Sequence, residues 1–144
     1  MSRRAMAARA TPYLRALWIG AALFVAGIAL DQRWHATHEE FEGTSQQFEA
    51  HWLLWIGFLV VLLMTVLAFL RLTPGQRHPG FAVVLAASAV YLPVTVWHFL
   101  AHANDVDPAV AHVLLGLGDA AIIAGAGWTL VASLRGRSAS GRAT

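Results

Sequence analysis

The sequence predicts an all-α integral membrane protein: a four-transmembrane-helix bundle built from two pseudo-repeated helical hairpins, with N and C termini cytoplasmic. Three observations predict it. The 144 residues are 58% hydrophobic and only 12% charged, where a soluble domain carries about 25% charged residues. Four segments are each apolar over roughly 20 residues, the helix length that crosses a bilayer core of ~30 Å. All ten basic residues are arginine, and all but Arg33 fall on one side of those segments.

Residues 1–12 form a basic N-terminal segment, followed by a first span over 13–30, YLRALWIGAALFVAGIAL. Arg3, Arg4, Arg9 and Arg15 ahead of an apolar run are also the layout of a signal peptide. No A-x-A-like cleavage site stands near Leu30, so the segment is read as a retained span. The second span, 52–70, has no charge. The third, 81–102, contains Pro93, which is expected to kink it. The fourth, 113–134, carries one charge, Asp119. Residues 135–144 are small, polar and basic and are read as a disordered cytoplasmic tail.

Arg71 and Arg77 lie between spans two and three, and Arg135, Arg137 and Arg142 follow span four. The positive-inside rule then places both termini and the 71–80 turn in the cytoplasm. The other two loops face the periplasm or exterior of what is read as a bacterial inner membrane. Seven of the eight carboxylates and six of the seven histidines fall on that outer side or at its edge. The high pI is therefore a topology signal, and the expected partner is the lipid bilayer, with no nucleic acid. Trp34, Trp52, Trp55 and Trp97 are expected at the outer interface, Trp18 and Trp128 at the inner one.

The two outer loops correspond. Asp31-x3-His35 is followed by His51 in AHWLLWIG; His98-x3-His102 is followed by His112 in AHVLLGLG. Spacing of i, i+4 puts both side chains of each pair on one helical face. The third residue arrives from the returning helix, which makes a compact three-ligand metal site of each set. The chain has no cysteine, so the donors are imidazole and carboxylate. They suit Cu(II), Zn(II), Fe(II) or Ni(II), with affinity favouring copper. Neither Glu-x-x-His nor His-Glu-x-x-His occurs, which argues against bundle di-iron and zincin chemistry. His38, Glu39, Glu40, Glu42 and Glu49 have no counterpart in the second loop and are read as solvated, as is His78 in the short turn. Asp119, seven residues after His112, shares its helical face. It is read either as a second-shell or proton-relay group below the site, or as a packing partner among the small residues around it.

Asp31-Gln-Arg-Trp34-His35 resembles the D-x-x-W-H of the C subunit of copper membrane monooxygenases, the particulate methane and ammonia monooxygenases. His51 matches that family's later histidine, which opens the next helix after a slightly shorter loop. Leu-Arg-Leu-Thr-Pro at 70–74, Leu92-Pro93, His102, and His112 after Pro108 also match; His98 stands where the family has asparagine. The similarity spans residues 16–132, in a shortened four-helix form. It implies a copper site, A-like and B-like partner subunits, and oxidation of a small substrate such as methane, ammonia or a short hydrocarbon. Two other readings stand beside it. One is a non-catalytic copper or zinc binder that delivers metal to a partner or self-associates. The other is a small haem-b membrane protein with paired histidines.

Overall fold

The computed structural model describes the backbone of residues 3–37, 44–104, 106 and 109–141, and side chains within 11–37, 49, 51–104, 106 and 109–135. Four helices make up the fold: α1 (Arg3–Thr37), α2 (Thr44–Arg71), α3 (Pro79–His102) and α4 (Ala109–Gly141), with a 3-10 turn at Pro74–Gln76 between α2 and α3. No strand occurs among the described residues. All four helices are long and apolar enough to cross a membrane, over Thr11–Thr37, His51–Arg71, Pro79–His102 and Ala109–Arg135. That fits a multi-pass membrane protein.

The helices overrun the apolar segments that mark them in the sequence. Hydropathy reports only where side chains avoid water, whereas helical hydrogen bonding continues into polar flanks until a cap or loop relieves it. Residues 135–141, read from the sequence as the start of a disordered tail, are therefore a continuation of α4. His38, Glu39, Glu40 and Glu42 lie outside the described residues.

Each helix turns a stripe of residues spaced by seven toward the bundle axis. On α1 these are Leu17, Phe24 and Asp31; on α2 His51, Phe58 and Thr65; on α3 Val84, Tyr91 and His98; on α4 His112, Asp119 and Ala126. Seven residues are nearly two turns, so such a stripe holds one face. Large apolar side chains also cover the outside, among them Ile19, Leu59, Leu63, Val90, Leu100, Val113 and Leu117. In water that would be an aggregating surface; in a bilayer it is the lipid-facing one.

α1 packs chiefly on α2, and α3 chiefly on α4, with lighter contacts between α2 and α3 and between α1 and α4. Glycine lets α1 and α2 touch. A Cβ on Gly27 would overlap the backbone of Leu54, and one on Gly57 would overlap that of Phe24. Small residues at such crossings are how helices associate without a hydrophobic driving force. Because Gly27 sits on Leu54, Asp31 one turn further along α1 comes level with His51 one turn earlier in α2.

The 3-10 turn end is closed by two side chains. Arg77 Nε donates to the Leu72 carbonyl at 2.9 Å, Arg77 Nη2 donates to the Phe69 carbonyl, and the guanidinium lies over the Phe69 ring. These bonds satisfy carbonyls left open at the end of α2. His78, expected from the sequence to be merely solvated, caps α3: its Nδ1 accepts from the Gly80 N–H at 3.1 Å and its ring stands edge-on to Trp128. Pro79 follows it as the first helical residue, where a missing N–H costs nothing.

Two outcomes follow from these contacts. Gly27→Val should destabilise the protein by about 3 kcal/mol, because the clash is with backbone and cannot repack; thermal unfolding in detergent against Gly27→Ala and wild type measures it. Partial burial holds the His78 imidazole below its ordinary range, so the cap's contribution is complete above about pH 6.5 and falls as pH drops below it. In His78→Asn, which caps without titrating, the difference in stability between pH 7 and pH 5 should be smaller than in wild type.

Candidate metal centre

The six histidine and aspartate positions singled out in the sequence meet at one end of the bundle, in two groups. In the first, His51 Nε2 is 3.0 Å and His35 Nε2 is 3.5 Å from the same carboxylate oxygen, Asp31 Oδ1. That oxygen is buried and receives no hydrogen bond of donor geometry. In the second, His98 Nε2 stands 2.8 Å from His112 Nε2 and 3.2 Å from His102 Nε2. Within each group the ligand-type atoms all lie within 4.8 Å of one another.

The helices explain the convergence. Asp31 and His35 lie one turn apart near the end of α1, as His98 and His102 do at the end of α3. His112 lies in the first turn of α4, whereas His51, read from the sequence as opening its helix, sits about two turns inside α2, which already begins at Thr44 in polar sequence. Antiparallel packing within each pair brings the end of one helix to the start of the next. Burial grades the second group: His98 is 9% exposed, His102 intermediate and His112 exposed.

The donor set fits a metal ion on chemistry and on spacing. Two ligand atoms each about 2.0–2.1 Å from an ion stand about 2.8–3.4 Å apart at bond angles near 90–110°. The His98–His112 and His98–His102 separations lie in that interval, as does Asp31–His51, with Asp31–His35 slightly wider. All five rings direct Nε2 inward, leaving Nδ1 to fix the tautomer. Two nitrogens and a carboxylate oxygen in one group, and three nitrogens in the other, are borderline donors suited to copper, zinc or iron.

The two groups are not isolated. Both line one cavity of about 270 Å³, whose wall also includes Trp55, Phe99, Leu115, Tyr91 and Asp119. The His51 and His98 rings are 6.5 Å apart between centroids, edge to face, and join the groups across the α2–α3 seam. Trp55, expected at the membrane interface, is instead a wall of the cavity, packed on Phe99 with centroids 6.0 Å apart. Trp18 likewise turns inward, its Nε1 donating to Thr129 Oγ1 at 3.4 Å.

Below the polar level lies an aromatic one. Phe24, Phe58, Tyr91 and Asp119 each stand seven residues from an inward ligand-type residue on the same helix. Phe58 and Tyr91 centroids are 4.9 Å apart, and Phe24 meets Tyr91 at 5.9 Å and Phe58 at 6.2 Å. Of these rings only Tyr91 lines the cavity; Phe24 and Phe58 pack behind it. Asp119 is the polar exception: it lines the cavity together with Tyr91, and its Oδ1 is buried without a hydrogen-bond partner. Gly118 makes room, since a Cβ there would run into the Tyr91 ring. Tyr91 escaped the sequence reading, although its spacing of seven from His98 marks it as inward-facing.

Fold and site together define a four-helix protein of membrane-spanning proportions with two histidine-rich groups open to one cavity. No protein-family model, curated protein or solved structure matches the chain.

Each group can be tested alone. His102→Ala should lower the affinity for Zn(II) at the second group by at least about tenfold and leave the first intact; His35→Ala should do the reverse. Stoichiometry by calorimetry in detergent, expected to fall from two ions to one in each single variant, checks it.

Proposed function

We propose that the protein is a multi-pass membrane metal-binding protein of the copper-monooxygenase C-subunit type. Asp31, His35 and His51 hold one ion, and His98, His102 and His112 a second. The observation that carries this reading is the meeting of three Nε2 atoms of His98, His102 and His112 at metal-ligand spacing. Copper is the preferred ion on affinity for such donors. When bound it supplies Lewis acidity and one-electron redox chemistry toward a small substrate, in a complex with A-like and B-like subunits.

The residues of this chain divide the remaining work. The histidines stay neutral to bind, because a protonated imidazole has no lone pair to give. Trp55, Phe99 and Leu115 give the cavity apolar walls that suit a small, weakly polar molecule. Tyr91, backed by Phe24 and Phe58, adds an aromatic wall below the histidines. The two hairpins read as copies of one unit, each with a ligand pair near the end of one helix and a histidine at or near the start of the next apolar span. Both termini are cytoplasmic in this reading, and the metal end faces the periplasm.

A haem-b reading fares worse on geometry. Axial histidines of a haem face each other across the macrocycle, and His98 and His112 meet at 2.8 Å with nothing able to lie between them.

Metal analysis and Cu(II) EPR on purified protein test the proposal. Wild type should carry bound copper with nitrogen hyperfine structure, and the double variant His35→Ala, His102→Ala should lose it. Copper-free wild type, or an unchanged spectrum in the double variant, refutes the assignment. Orientation is checked separately. The chain has no cysteine, so single Thr37→Cys and Gln76→Cys substitutions report sidedness to a membrane-impermeant maleimide. Thr37→Cys should label from the periplasmic side and Gln76→Cys only after permeabilisation.

A further inference from the structure

The two groups differ in charge. The first contains a carboxylate, Asp31; the second has three histidines and no charged ligand. A divalent ion on three neutral imidazoles keeps its full charge, in a setting where lipid and packed side chains screen it poorly. Two carboxylates line the shared cavity, Asp31 and Asp119. Asp31 is already committed to the first group. Asp119 belongs to the same helix face as His112, two turns or about 10 Å further along α4. Tyr91, Leu115 and Gly116, which line the cavity with it, carry no cationic charge. No arginine lines the cavity. Within the cavity, then, no arginine opposes the Asp119 carboxylate, whose Oδ1 is buried without a hydrogen-bond partner.

We propose that Asp119 is the counter-charge of the three-histidine site and makes that site discriminate in favour of divalent over monovalent ions. The inference rests on the metal-binding reading above. Asp119 does not ligate the ion; it acts through space. A through-space term scales with the charge of the ion, whereas a packing defect that loosens the three histidines weakens any ion they hold. The relation is quantitative: if neutralising Asp119 weakens a divalent ion by some factor, a monovalent ion at the same site weakens by about the square root of that factor.

The test uses two closed-shell d10 ions without redox chemistry, Zn(II) and Ag(I), titrated in competition with a chelator. The background is the full chain with His51→Ala, which leaves only the second site complete. Asp119→Asn and Asp119→Ser, two neutral replacements, are compared with Asp119→Glu, which keeps the charge. Loss of Zn(II) affinity on the order of tenfold is expected for both neutral variants, from a Coulomb interaction at about 10 Å with an effective dielectric between protein and water. The matching loss for Ag(I) is about threefold, and Asp119→Glu should stay near the parent for both ions. Equal losses for the two ions, no loss for either, or a Glu variant as weak as Asn and Ser, would overturn the inference while leaving the metal site standing. If one neutral variant fails to assemble, the other carries the comparison. If the parent binds neither ion, the metal reading itself is overturned, and the counter-charge falls with it.

Discussion

Inside an apolar bundle a polar side chain can turn only to other polar side chains, because lipid offers neither donor nor acceptor. This protein meets the constraint by confinement. Most hydroxyls fold back on their own helix: Thr65 Oγ1 donates to the Val61 carbonyl, Thr95 to Tyr91 and Thr129 to Ala126. The imidazoles and Asp31 have no such local outlet and gather at one level, where each helix contributes an inward residue. The stripe of seven then stacks an aromatic level beneath them. The polar level is thus open at one end of the bundle and sealed on the other.

Helix contact and site geometry are coupled. The approach of Gly27 to Leu54 and of Gly57 to Phe24 sets the relative height of α1 and α2, and so the distance from Asp31 to His51. On the other pair, Gly118 admits the Tyr91 ring against α4. Gly27, Gly57 and Gly118 lie within about two turns of the grouped residues, while Gly80 and Gly125 hold α3 and α4 together at the opposite end. A substitution at a glycine would therefore be felt at the ligands through a shift of helix height, with no change in the ligands themselves.

The four helices were legible because hydropathy needs only local composition: a run such as 52–70 without a charge has no other stable place. Their ends were less legible, since α1 and α4 continue well into polar sequence that hydropathy discards. The pairs Asp31/His35 and His98/His102 were legible from i, i+4 spacing, and His51 and His112 from their place at the starts of apolar runs. The roles of His78, Trp55 and Trp18 were not. A capping nitrogen depends on the rotamer of one side chain, and a tryptophan's choice between interface and interior depends on which neighbour faces it.

What the sequence by itself determined is the set of helices, the axial height of each polar residue, and the face each shares with its neighbours, because all three follow from 1.5 Å of rise and 3.6 residues per turn. Only the tertiary structure decided that the two groups open into one cavity, that Tyr91, backed by Phe24 and Phe58, forms part of its wall, and that Asp119 lines it with Tyr91. Those facts depend on how the α1–α2 pair docks against the α3–α4 pair. That docking is set by side-chain shape across helix interfaces, which periodicity along a single helix does not encode.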